Sequence, residues 1–233
     1  NLAIGFEALV TANSGAEYNV AIGNYAGDAI TSADLSVLVG YEAGTAITTG
    51  TENMCIGAQA GQNLTTGTRT TLIGRAAGYN YDAENDNLAI GYFALGGVVN
   101  GGEYNVAIGN YSLDALTSGD YNVAVGYNSG SAINSGEAHT LVGNEAGRKI
   151  TTSAHNTCIG YFAGGELTTG ATNIAMGSLA LDGCDTESDN LAIGFGALGS
   201  SDLAGGEFNT GIGNTTLDAL TSADSCVAVG HGA

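Results

Sequence analysis

Apolar positions along this chain recur at about 17 residues, far from the 3.6 of a helix. An aliphatic residue followed by glycine returns at Gly5, Gly23, Gly40, Gly57, Gly74, Gly91, Gly109, Gly126, Gly143, Gly160, Gly177, Gly194, Gly213 and Gly230, fourteen copies in all. Ten of the thirteen spacings are 17, two are 18 and one is 19. With the glycine as position zero, position −1 is Ile in nine copies, Val in four and Met176 in the last. Position +3 is Ala in eleven copies, and position −4 is Asn in ten, among them Asn19, Asn53, Asn105 and Asn122. An aliphatic usually follows at +7, as in Ile30, Ile47 and Leu64, and then a Thr/Ser pair. Between these positions the chain is polar and rich in Gly.

The stretch Asn19 to Gly23 (Asn-Val-Ala-Ile-Gly) alternates larger and smaller side chains, which predicts a short strand. Glycine at one residue in six argues against helix. Seventeen residues are too few for a strand-and-helix repeat and enough for one turn of a parallel β-solenoid. The expected fold is therefore all-β: a single solenoid domain over 1–233, about 14 coils of ~17 residues stacked ~4.8 Å apart into a rod of ~65 Å. Stacked coils place equivalent residues in columns. The glycines, with Gly23, Gly40, Gly57, Gly109 and Gly126 as clear examples, mark a tight corner where φ is positive or a side chain would clash. The −1 and +3 columns are expected to fill a thin interior. The Asn column is expected to run as an amide ladder, each side chain bonding those above and below. Small residues at −2 (Ala3, Ala21, Ala107, Ala124) are expected to let neighbouring chains or layers approach closely. The extra residues of the long copies fall between +3 and −4, as in Gly96 to Gly102 and Gly199 to Gly206, where a loop would leave the rod. Neither end shows a polar cap or a secretion signal, so the chain reads as a segment of a longer fibre or a mature piece.

Composition narrows the function. Four Lys plus Arg against 23 Asp plus Glu give a net charge of −19, which excludes a basic footprint for nucleic acid and disfavours anionic membranes. A hydrophobic fraction of 44% argues against disorder, and the absence of Pro against collagen. No apolar run is long enough to span a membrane.

The Asn-x-Ala-Ile-Gly-x-x-Ala units, strung with Thr-Thr-Gly turns, resemble the head repeats of trimeric autotransporter adhesins of the YadA type and related repeats of bacteriophage tail fibres. The resemblance covers all fourteen coils, which are longer here than those typical of the adhesin heads. It implies a left-handed β-roll, a homotrimer, and an extracellular structural fibre or adhesin segment on a cell or virion surface. The partners it implies are further copies of the chain and a cell-surface glycan or host receptor. The activity expected is mechanical, without catalysis.

Other motifs favour the same reading. Ile22 to Gly27 fits one hexapeptide unit of left-handed β-helix acyltransferases, but the next aliphatic comes eight residues later and breaks that phase. An enzyme of that kind would use a His. His139 stands in the Asn column, His155 just before it, and His231 near the end. Cys55 and Cys158 share a column six coils apart, ~29 Å by the coil spacing, beyond disulfide reach. Cys226 lies three coils from Cys184, so no intrachain bridge is expected; bridging between chains stays open. The acidic stretches 82–86 and 182–189 are the Ca²⁺ candidates, yet they lack EF-hand spacing and read as solvated loops, so no cofactor is expected. Regular Thr rows raise ice binding as an alternative to a corner role. The aromatics after glycine, Tyr41, Tyr92, Tyr127, Tyr161, Phe6 and Phe195, could stack sugar rings or cover the roll.

Overall fold

The computed structural model of the chain describes residues 1–12, 15–98, 100–199 and 205–233. The fold is all-β, a parallel β-solenoid whose repeated element is a three-residue strand. The backbone groups into two compact units, Asn1–Ser118 and Gly119–Ala233. The first carries β1 (Leu2–Ile4), β2 (Val20–Ile22), β3 (Val37–Val39), β4 (Met54–Ile56), β5 (Thr71–Ile73), β6 (Leu88–Ile90) and β7 (Val106–Ile108). The second carries β8 (Val123–Val125), β9 (Thr140–Val142), β10 (Thr157–Ile159), β11 (Ile174–Met176), β12 (Leu191–Ile193), β13 (Thr210–Ile212) and β14 (Val227–Val229).

Within each unit consecutive strands pair in parallel with the repeats in register. Val20, Ala21 and Ile22 face Val37, Leu38 and Val39, and Thr140, Leu141 and Val142 face Thr157, Cys158 and Ile159. An interior strand such as β2 is bonded on both sides. Val20 N–H donates to Ser36 O of the next coil at 2.9 Å, and Gly23 N–H donates to Ile4 O of the previous coil at 2.8 Å.

The corners are built from left-handed residues. In the second coil Tyr18, Tyr25 and Gly27 have φ of 60°, 61° and 58°. A non-glycine residue there costs roughly 1–2 kcal/mol, and bonds between coils hold it in place. Tyr25 N–H donates to Phe6 O at 2.8 Å, and Gly27 N–H donates to Ala43 O at 3.0 Å.

The interior is one residue deep. It holds positions −2, +3 and +7, represented in the third coil by Leu38, Ala43 and Ile47, all fully buried. Each buried Leu or Ile contributes about 1.5–3 kcal/mol. Two expectations need correction. The aliphatic column before glycine does not fill the interior: Ile22, Val142, Met176 and Ile212 are 36–39% exposed. The small −2 column is the inward one, because successive strand residues point to opposite faces. Ala21, Ala107 and Ala124 are fully buried, so this column faces neighbouring layers of its own chain, and Ala3 in the first coil is exposed. Parts of the lengthened turns, residues 13–14, 99 and 200–204, lie outside the described residues.

Candidate functional site

The repeat anchors explain themselves sterically. A β-carbon on Gly23 would stand 2.2 Å from the carbonyl oxygen of Gly40; on Gly40 it would stand 2.4 Å from that of Gly57, on Gly57 2.4 Å from that of Gly74, and on Gly126 2.1 Å from that of Gly143. The φ of Gly109, 134°, places it in the same left-handed corner. The coils stack through bare backbone along this column, so only glycine fits.

The Asn column is a ladder of a different kind from the one expected. Asn19 Nδ2 donates to Ala33 O at 2.6 Å, across its own coil, while its Oδ1 accepts the backbone N–H of Ser36 in the next coil at 2.9 Å. Asn53 bonds Gly67 O and the N–H and hydroxyl of Thr70 in the same way. Asn122 bonds Gly136 O and His139 N–H, and Asn105 N–H donates to Asn87 Oδ1 at 2.8 Å. Each amide ties one turn of its coil to the backbone of the next, with the Thr70 hydroxyl joining in at Asn53.

The candidate chemical groups are dispersed. His139 is buried within the ladder, and His155 and His231 are exposed. Cys55, Cys158 and Cys184 are buried free thiols, and burial pushes the first two up to about 12, away from nucleophilic use. Among the described residues no group of three or more His, Cys, Asp or Glu side chains is placed to hold a metal ion. The acidic stretches contain a role that pattern reading missed. Glu84 is buried: its Oε2 accepts the N–H groups of Asp82 and Ala83 at 2.9 and 3.1 Å, and its Oε1 accepts that of Gly101 at 3.1 Å. Glu187 repeats this with Asp185, Thr186 and Gly205 at 2.7, 3.0 and 2.9 Å. Both carboxylates stand one coil before a lengthened turn and pin it by its backbone. Their equal placement relative to the two insertions was the available signal.

The Thr row is engaged in the corner. Thr31 and Thr151 donate their hydroxyls to the carbonyls of Thr48 and Thr168 in the next coil at 3.1 and 3.2 Å. The cations also join adjacent coils. Arg69 grips Asp86 through two bonds of 2.6 and 2.7 Å, Arg148 reaches Glu145 and Glu166, Lys149 pairs with Glu166, and Arg75 lies 5.5 Å from the centre of the Tyr92 ring. The Asp86 carboxyl is held below its usual range by Arg69.

The remaining feature is a surface. Positions −3 and −1 share the strand's outward face, and −5 and +1 lie just beyond its two ends. Of the 22 exposed large hydrophobic side chains among the described residues, all but Val10 and Val98 occupy these four positions. In the first unit Ile22 and Met54 lie in the centre of this face, with Tyr18, Leu35 and Tyr41 at its rims. In the second unit Val142, Ile174 and Met176 are central, and Tyr121, Tyr127 and Tyr161 stand at the rims. Some rim aromatics also pack on the coil beside them, as Phe6 does on Tyr25, with ring centres 5.6 Å apart. The aliphatic column before glycine thus runs exposed or half-buried along each unit, in a protein otherwise so acidic. No protein-family model, curated protein or solved structure matches this chain.

Proposed function

We propose that the chain is a segment of an extracellular structural fibre or adhesin, on a bacterial or virion surface, that associates with further copies of itself through the outward face of its sheet. The supporting observation is that apolar face: two columns of aliphatic or Thr side chains with aromatic rims, carried on rigid three-residue strands. The sequence resemblance supports three chains and a left-handed roll. In this reading the function is stiffness and the display of loops, and the interior columns serve only to hold the face flat.

The test is the mass of the particle in solution. The wild-type chain is expected to run as three chains of 23.1 kDa by light scattering. Ile22→Glu with Met54→Glu places two carboxylates in the strip without touching the buried columns, and should yield a folded monomer with an unchanged far-ultraviolet spectrum. A wild-type monomer at tens of micromolar would overturn the proposal.

A further inference from the structure

The lengthened turn in the coil that follows Gly91 opens a groove in the first unit. Its volume is about 590 Å³, within the range of small-molecule sites. Its walls present Asn63, Thr65, Asn80, Asp82 and Asn100, with Val98 at the lip. The turn displaces the +7 side chain of its coil: Val98 is 68% exposed, where Ile30, Ile47 and Leu64 are fully buried. The result is a polar trough with an apolar edge, at a place where the surface stops repeating.

The walls are held in position. Asn63 Nδ2 donates to Asn80 Oδ1 at 3.2 Å, and Asn80 Nδ2 donates to Gly96 O at 2.9 Å. The Thr65 hydroxyl bonds Asp82. Asn100 N–H donates to Thr117 O at 2.6 Å, and the Glu84 carboxylate fixes the adjacent Gly101. No cation lines the groove. The second unit has a depression at the equivalent coil positions, of about 390 Å³, lined by Lys149, Glu166, Thr168, Asp182, Gly183 and Asp185. There a Lys149–Glu166 ion pair stands where the first groove has Ala46 and Asn63. One scaffold position thus appears in two chemistries, and only the first carries side-chain amides.

We infer that the groove beneath the lengthened turn after Gly91 binds a short neutral oligosaccharide, with Asn63, Asn80, Asn100 and Asp82 bonding adjacent ring hydroxyls and Val98 covering the apolar face of a sugar ring. Carboxamides offer a donor and an acceptor side by side, which suits vicinal hydroxyls that are donor and acceptor at once. Asp82 adds a charge-assisted acceptor. A phosphate or sulfate would meet Asp82 with no compensating cation, so a charged glycan is disfavoured. The attachment role of this site rests on the fibre reading; the binding itself does not.

The experiment is titration calorimetry of the full chain with three neutral probes: cellohexaose, maltohexaose and hexa-N-acetylchitohexaose. At least one should saturate at one site per chain with Kd at or below ~1 mM. Asn63→Ala with Asn100→Ala should weaken it at least ~10-fold, and Val98→Asp should do the same through the lip. Lys149→Ala, in the second depression, should leave it unchanged. Absence of saturation with all three probes, or binding indifferent to both groove variants, overturns the inference. Light-scattering mass on the same samples separates this outcome from failure of the association proposal, since none of these substitutions lies on the apolar face.

Discussion

At position −4 each coil asks for the same two things, an acceptor for the next coil's N–H and a donor for a carbonyl across its own coil. Asn supplies both with one amide. His139 shows that the requirement is geometric rather than specific to Asn. Its Nδ1 accepts the N–H of Asn156 at 3.1 Å, and its Nε2–H donates to Ser153 O at 2.9 Å. The imidazole must therefore be the neutral Nε2–H tautomer, since a proton on Nδ1 would face the N–H of Asn156. Burial drives its pKa down to about 4 from an ordinary 6.5, against the smaller upward pull of the bond to Ser153 O. Between these values the unfolded chain binds a proton that the folded chain refuses. The contribution is complete above about pH 6.5 and is lost as pH falls toward 4, on the order of 3 kcal/mol across the window. Thermal melts from pH 7 to 4 should show this loss in the wild type and a shallower one in His139→Asn. Identical slopes would assign the acid sensitivity to carboxylates instead. The substitution of His for Asn was legible in the sequence. The direction of each ladder bond was not, because spacing gives the column but not which backbone group each amide meets.

Within the coil, bulk at position +4 answers bulk at −2. Leu occurs at +4 in Leu9, Leu95, Leu113, Leu181, Leu198 and Leu217, and at each the −2 residues of that coil and the next are Ala or Gly. Gly occurs at +4 in Gly27, Gly44, Gly61, Gly78, Gly130, Gly147 and Gly164, where at least one of those −2 residues is Leu or Cys. The cause is contact between layers: a β-carbon on Gly27 would lie 2.6 Å from Leu38 Cδ1, and on Gly44 2.8 Å from Leu38 Cδ2. Both residue types share a left-handed φ here, 58° at Gly27 and 49° at Leu95. Leu therefore accepts backbone strain in exchange for filling space that Ala leaves. Neighbouring coils are matched by volume and cannot be exchanged freely. Gly27→Leu should destabilise the chain by about 2–4 kcal/mol through overpacking and strain, and Leu38→Ala by about 2–5 kcal/mol through a cavity. Together they rebuild the Ala89–Leu95–Ala107 arrangement, so denaturant melts should give the double variant a cost at least ~2 kcal/mol below the sum of the singles. Simple additivity would mean that the two positions do not share space. Fold class and strand positions were legible from the fourteen glycines, yet the choice of interior column was not. An aliphatic before every glycine looks like a core, and only the strand's alternation, with the mixed Ala, Leu and Cys column at −2 on its other face, decides which side is buried. The same ambiguity hid the outward apolar face, the feature that carries the proposed function.

For the chain as a whole, the excess of acid sets how it meets its surroundings. A net charge of −19 leaves the carboxylates repelling one another along every stack, while Arg69, Arg148 and Lys149 pair with carboxylates of adjacent coils. Salt screens that repulsion beyond ~10 Å at 0.1 M. Stability should therefore rise with sodium chloride, opposite to a fold held by surface ion pairs. The tryptic sites are Arg69, Arg75, Arg148 and Lys149. Arg69 N–H is bonded to Thr51 O at 3.1 Å, its carbonyl side enters β5, and its guanidinium grips Asp86. Arg75 follows an anchor glycine whose N–H is bonded to Ile56 O at 2.7 Å. A protease must draw several residues into an extended cleft, and here that means peeling a strand from neighbours on both sides. Coils in a stack open together with their neighbours. The expected outcome is a chain that survives trypsin for hours at low salt and longer at high salt, followed by mass spectrometry of the intact species. Early cleavage at Arg69 or Arg75 at both salt levels would show that β5 opens on its own, and a stack with so independent a coil could not provide the stiffness proposed for the fibre.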